Sequence, residues 1–283
     1  MDRRTRLLND AESRRKRLTQ IYKDAENAAI VLLAAALLAP QPAVALLKAK
    51  KSIQKLMDDA GKQAQAWSDD SLTTLYARGM MDASERLNRP HPESSPMHLA
   101  IIAALTVGVM EKLSSVGAAV DRNVATLLSS AQVGVAGASF KNATDWQALA
   151  EKLRQDVMQN GVTGFIDKAG HVWKVDTYVD VVAQSSVMKA YNTGIKSEMQ
   201  ADGLDLAQLS DEIGENTCEA CAQWAGQILS ITGATPGFPT VDDAEADGVF
   251  HCHCVHTLEP LTEEEAAQEV EDNGNSNPEA KEA

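Results

Sequence analysis

Aromatic residues are scarce in this 283-residue chain, where four Trp, four Tyr and four Phe amount to 4%. That is low for a protein that reads single-stranded bases or sugars by stacking them on ring faces. Positive charge is short as well. With 26 Lys and Arg against 40 Asp and Glu, the net charge of −14 repels duplex phosphate unless basic residues are segregated locally. Genome-wide coating of DNA is thereby disfavoured. The sequence has no G-x-x-x-x-G-K-[ST], no G-x-S-x-G and no G-x-G-x-x-G, so the common nucleotide-binding and hydrolase fingerprints are missing. No repeat of fixed period supports a solenoid or propeller. The apolar stretch from Ala28 to Ala39 stops at Pro40, short of the roughly 20 residues that a bilayer demands. It also comes after a long charged segment rather than a leader's short basic region. A buried core helix is expected there, with no membrane span and no cleavable leader, in a protein made and kept in the cytoplasm.

What is present favours helices packed through Ala, Leu and Val, since 44% of residues are hydrophobic. A helical pattern runs from Asp10 to Leu38, breaks at Pro40 and Pro42, and resumes from Val44 to Ala66, which reads as a helical hairpin. Ser71 to Leu87 reads as another helix, ended by the loop carrying Pro90, Pro92 and Pro96. Ser95-Pro96 then starts a long core helix with Leu99, Ile102, Thr106, Val109 and Leu113 on one face. Thr144-Asp145-Trp146-Gln147 fits a capping box for a further helix. Phe165 to Val175 resembles a small hairpin turning at Lys168-Ala169-Gly170, and Thr177 to Asp180 can cap a helix reaching Met199.

Beyond Leu204 the texture changes to short apolar pieces, Gly and Pro, and all four cysteines. The expected fold class is mainly α: long helices and helical hairpins, then a small irregular α+β module closed by zinc, then an acidic tail disordered from about Glu269. The corresponding regions are 1–160 (helical), 161–204 (hairpin plus helix), 205–260 (Cys/His module) and 261–283 (acidic tail). Basic residues from Arg3 to Arg17 crowd one end and acidic residues from Glu263 to Asp272 the other. The basic end can meet DNA or an acidic protein, or serve as a solvated helix face.

Chemistry concentrates in two clusters. Cys218-Glu219-Ala220-Cys221 offers two thiols, and His251-Cys252-His253-Cys254-Val255-His256 offers five more donors about 30 residues later. Tetrahedral zinc takes four such ligands, and a C-x-x-C turn lets both sulfurs converge on one ion. Cys218, Cys221, His251 and Cys254 are the expected ligands of a structural Zn2+, with His256 as a substitute or supporting group. Cys252 and His253 are read as bystanders. A disulfide or redox pair and unpaired thiols are the competing readings. Catalytic zinc is disfavoured because neither H-E-x-x-H nor a deaminase order of H-x-E before P-C-x-x-C occurs. His91 and His98 read as surface or capping residues, and Trp146, Trp173 and Trp224 as packing residues, with Trp224 beside the metal module.

The run Cys218-x-x-Cys221, Trp224 through Gly233, Phe238-Pro239-Thr240, Gly248-Val249-Phe250-His251, Cys254 and His256 resembles the carboxy-terminal signature of tailed-phage minor capsid proteins of the Mu F-like head-morphogenesis group. Gly170-His171-Val172-Trp173, Tyr178 and Asn192-Thr193-Gly194 resemble the hairpin and helix before that signature, so the likeness covers roughly residues 160 to 260. Cys252 and His253 depart from the family pattern, which carries ordinary residues there. The resemblance implies a low-copy virion-head protein without an active site, associated with the portal and inner head and assisting assembly or genome delivery. The portal protein and then the major capsid protein are the implied partners, with DNA contact through the basic amino-terminus left open. A zinc module that binds nucleic acid and a metal-dependent hydrolase are the alternatives.

Overall fold

The computed structural model describes residues 2–37, 39–90, 92–137, 165–166, 172–215 and 217–276. In chain order the elements are helices α1 (Arg3–Leu37), α2 (Pro42–Arg86) and α3 (Pro96–Gly137), strands β1 (Phe165–Ile166) and β2 (Val172–Trp173), and helix α4 (Val175–Ala201). Next come β3 (Leu206–Leu209), the short helix α5 (Glu219–Trp224), β4 (Ile228–Ser230), the short helix α6 (Val241–Ala246), β5 (Leu258–Pro260) and α7 (Glu263–Ser276). The protein is mainly helical, with a small sheet in its carboxy-terminal part. Two compact units are built from these elements. One comprises Met1–Glu12, Asp69–Thr106 and Gln184–Ala283, and the other Ser13–Ser68 and Val107–Ala183.

In the second unit the expected hairpin is present. Pro40 and Pro42 interrupt the pattern, and Pro42 opens α2, where a missing amide proton costs nothing. Ala29, Leu33 and Ala36 of α1 pack with Leu46, Ala49 and Ile53 of α2 and with Val120 and Val124 of α3. Nearer the other end of the hairpin the buried Trp67 indole donates to the Arg14 carbonyl at 2.8 Å. Asp180 of α4 accepts from Arg15 and Thr19 of α1. The β1–β2 pair is antiparallel, Phe165 opposite Trp173. The Lys168–Gly170 turn, the capping box at 144–147, Trp146 and His91 lie outside the described residues.

Two expectations about the helices need correcting. The segments read as separate helices, 44–66 and 71–87, are one helix of 45 residues. Between them stand Trp67, Ser68, Asp69 and Asp70, which lower helix propensity by only tenths of a kcal/mol each and include neither Pro nor Gly. Burial of Trp67, Ser68, Ser71 and Leu72 carries the helix through. In α3 the inward face starts at Thr106 and continues through Val109, Leu113 and Val116, whereas Leu99 is 60% exposed. The stretch Pro96–Val120 is, by length and composition, apolar enough to cross a membrane, which the shorter run at 28–39 is not. The same composition supplies the buried Val109, Leu113, Val116 and Val120.

The first unit positions the Cys/His module. Gly79 of α2 and Gly194 of α4 face each other so closely that a Cβ on either would lie 2.0 Å from a carbonyl oxygen, that of Tyr191 or Tyr76. Around this crossing Leu72, Leu75, Met80, Ile195 and Met199 are buried, the Tyr191 hydroxyl donates to Asp82 at 2.8 Å, and Ser84 donates to the buried Glu198 at 2.7 Å. The carboxy-terminal sheet is antiparallel in the order β4-β3-β5, with Ala207 opposite Leu229 on one side and Pro260 on the other.

The acidic tail differs from expectation over part of its length. Helix α7 covers Glu263–Ser276, so the chain stays helical past Glu269, where composition alone points to disorder. Its start is a capping box: Glu265 N donates to Thr262 Oγ1 at 3.3 Å and Thr262 N to the Glu265 carboxylate at 2.8 Å. Three glutamates in the first turn suit the positive end of the helix dipole. Arg86 binds Glu265 at 2.7 Å and Arg89 binds Glu263 at 2.6 Å, so acidic side chains that have nothing to bury still have partners.

Candidate metal centre

The first arm of the site is the start of α5. Cys218 is its N-cap, in extended conformation, and its Sγ accepts from Cys221 N at 3.4 Å. The C-x-x-C spacing therefore places one sulfur at the cap and the other in the first turn. That amide hydrogen bond holds the Cys218 thiol below its ordinary pKa, the thiolate being the form a metal binds. Burial, reinforced by hydrogen bonds to Cys218 and Cys254 that favour the protonated form, pushes the Cys221 thiol in the opposite direction.

The second arm lies after α6, whose start is itself capped by a reciprocal Thr240–Asp243 box. From Phe250 the chain makes a tight turn in which Cys254 N donates to the His251 carbonyl at 3.0 Å. Phe250 and His253 both adopt positive φ, 57° and 68°, a region that non-glycine residues enter at a cost of about 1–2 kcal/mol. A turn strained at two positions needs other contacts to hold it.

Those contacts bring the two arms together. His251 Nε2 lies 3.3 Å from Cys218 Sγ, Cys221 Sγ lies 3.8 Å from Cys254 Sγ, and Cys254 Sγ lies 3.4 Å from His256 Nδ1. The ligand atoms of Cys218, Cys221 and His251, and those of Cys221, Cys254 and His256, fall within 4.8 Å of one another in each group. Zinc bound at about 2.3 Å from each thiolate separates tetrahedral sulfurs by about 3.8 Å, which is the spacing of Cys221 Sγ and Cys254 Sγ, and Cys221 is common to both groups. Three sulfurs and two imidazoles are the donor chemistry zinc prefers over calcium or magnesium. All four cysteines are free thiols, and Cys252 and His253 stay exposed outside both groups.

The two histidines differ. His251 is exposed, whereas His256 is 5% exposed and its Nε2 makes no hydrogen bond of ordinary geometry. Desolvation lowers the His256 pKa, the Arg4 guanidinium adds to the effect, and Glu212 opposes it. A buried neutral imidazole is what a metal ligates.

Two polar residues to which sequence reasoning gave no role in the site, Asp205 and Asn192, organise this region. Asp205 accepts from the hydroxyls of Ser230, Thr232 and Thr235 and from the amides of Thr232 and Thr235, the two amides at 2.8 and 3.1 Å. These bonds outweigh its desolvation and hold its pKa at about 2, latching the loop after β4. Asn192 of α4 donates to the His256 carbonyl and accepts from Leu258 N, both at 3.1 Å. The partners lie 25 to 66 residues away, so no local motif announces either role.

The chain is thus mainly helical, carries a compact Cys/His module, and pairs charges near both termini internally. A model of the family phage minor capsid protein 2 matches residues 41–283, and the chain belongs to that family. Membership makes it a virion-associated minor capsid protein of a bacteriophage, in a family whose role is structural. No curated protein and no solved structure matches the chain.

Proposed function

We propose that this minor capsid protein acts beside the portal at the inner face of the phage head, assisting head assembly or genome delivery. One structural zinc, held by Cys218, Cys221 and Cys254 with His251 or His256, closes its carboxy-terminal module. The observation that carries this reading is the convergence of five donors from two arms some 33 residues apart, in a chain that belongs to a capsid family. Zinc in such a site supplies folding free energy rather than turnover, and thiolate ligation on this scale is worth on the order of 10 kcal/mol in small modules.

The partners implied by the same reading are the portal protein first and the major capsid protein second, met in the host cytoplasm before the head is complete. A DNA-binding role draws less support. Arg3 pairs with Asp82 and Glu85, Arg4 with Glu212 and Arg15 with Asp180, so these guanidiniums are engaged by the chain's own carboxylates. Asp242, Asp243, Glu245 and Asp247 expose negative charge beside the metal arms.

Affinity purification from infected cells tests the assembly role, and recovery of portal or capsid subunits is the expected result. Recovery of neither ends it. Elemental analysis of the purified chain tests the staple, with about one zinc per chain expected. A metal-free chain carrying a Cys218–Cys221 disulfide under reducing cytosolic conditions ends that reading.

A further inference from the structure

We infer that Asn192 is a positioning residue which presets His256 as the fourth ligand of the metal, leaving His251 outside the final shell. This rests on the structural-metal reading of the module and concerns which side chains complete it.

The backbone from His256 to Leu258 is held at the His256 carbonyl, at both polar atoms of Thr257 and at the Leu258 amide. Asn192 takes the His256 carbonyl with its amide NH2 and the Leu258 amide with its oxygen, bridging either side of Thr257. Ser210 takes the remaining pair: its Oγ accepts from Thr257 N at 3.1 Å, and its own amide donates to the Thr257 carbonyl at 2.9 Å. Arg4 adds bonds to the Val255 carbonyl and the Thr257 hydroxyl. Asn192 is itself 6% exposed and sits on α4 two residues before Gly194, so the close helix crossing anchors it.

His251 has no comparable support. Its ring is exposed, its Nδ1 contacts the carbonyl of the neighbouring Cys252, and it lies between two residues at positive φ. Ordering an exposed side chain on binding costs conformational entropy that His256 has already lost on folding. The buried His256 ring already turns its Nδ1 towards Cys254 Sγ at 3.4 Å, so ligation there needs no reordering, whereas an exposed imidazole only exchanges water. Groups that orient a ligand typically change metal affinity by about ten- to a hundredfold when removed.

The full chain loaded with 113Cd2+ and labelled with 15N-histidine tests the ligand assignment without any substitution. A cadmium coupling to a ring nitrogen of His256, and none to His251, is expected; coupling to His251 overturns the proposal. Asn192→Asp then tests the positioning role, because it keeps an acceptor for Leu258 but loses the donor to His256. Zinc affinity by chelator competition should fall about tenfold or more. The same substitution in a His256→Ala background should have little further effect, a loss of additivity that general destabilisation would not produce. Equal losses in both backgrounds, or an unchanged affinity, refute the positioning role. If Asn192→Asp does not fold, Asn192→Ser in the same two backgrounds provides the cycle. Failure of the reduced wild-type chain to bind Cd2+ or Zn2+ at all would instead remove the metal reading, a distinct outcome.

Discussion

Gly194→Ala should destabilise the first unit even though alanine is the better helix former. In an exposed helix the exchange would gain about 1 kcal/mol. Here the new Cβ would lie 2.0 Å from the Tyr76 carbonyl oxygen and 2.9 Å from its carbon, and both are backbone atoms that no rotamer change can move. Restoring ordinary contact requires α2 and α4 to part by about 1 Å or more, which opens gaps around neighbouring side chains in a close-packed interior. Overpacking of this kind costs about 1–3 kcal/mol where flexible side chains absorb it, and the rigid backbone puts this case at about 3 kcal/mol or more. Net of the propensity gain, a loss of about 2 kcal/mol or more is expected. Gly61→Ala on the same α2 is the control, since nothing lies within 4 Å of its added Cβ, and it should gain up to about 1 kcal/mol. Urea unfolding monitored by far-ultraviolet circular dichroism would separate the two, with midpoints shifting in opposite directions. A Gly194→Ala chain as stable as the wild type would refute a backbone-limited crossing.

Replacing Cys218 and Cys221 together by Ser should loosen residues 217–256 while the long helices persist, seen as new proteolytic cleavage between Gly233 and Gly248; unchanged resistance there would mean that the module holds without metal. Virions carrying that double variant should lose the protein or deliver DNA poorly. The Asp205 latch sets an acid limit: its folded pKa of about 2 lies below the ordinary value of 3.8, so its contribution is complete above about pH 4 and fades as pH falls towards 2. Because this carboxylate is only half-buried, the contribution is about 1 kcal/mol after solvent screening, and Asp205→Asn should flatten the stability profile across that window. Thr262→Ala should remove about 1 kcal/mol of N-capping from α7 and raise amide exchange in its first turn. Equal exchange in both chains would count against the capping box.

Much of this protein is legible in the residues themselves because the signals are local. Apolar periodicity and the prolines at 40, 42, 90, 92 and 96 mark the breaks between the long helices, and the spacing of Cys218, Cys221, His251, Cys254 and His256 marks a Cys/His cluster able to hold a metal. Even the start of α7 carries a local signal, the T-x-x-E spacing of Thr262 and Glu265, masked by the polarity of the residues after it. Tertiary structure alone decided the rest. Burial of Trp67 and Ser68 joined two helical segments that sequence reading keeps apart, because packing outweighs weak local propensities. The meeting of Gly79 with Gly194 depends on residues 115 positions apart, and neither glycine differs in sequence from the unconstrained Gly61. Sequence reading places His251 ahead of His256, but only the folded chain buries His256 behind Asn192 and leaves His251 in solvent. That choice is made by long-range hydrogen bonds, which carry no periodicity for a sequence to display.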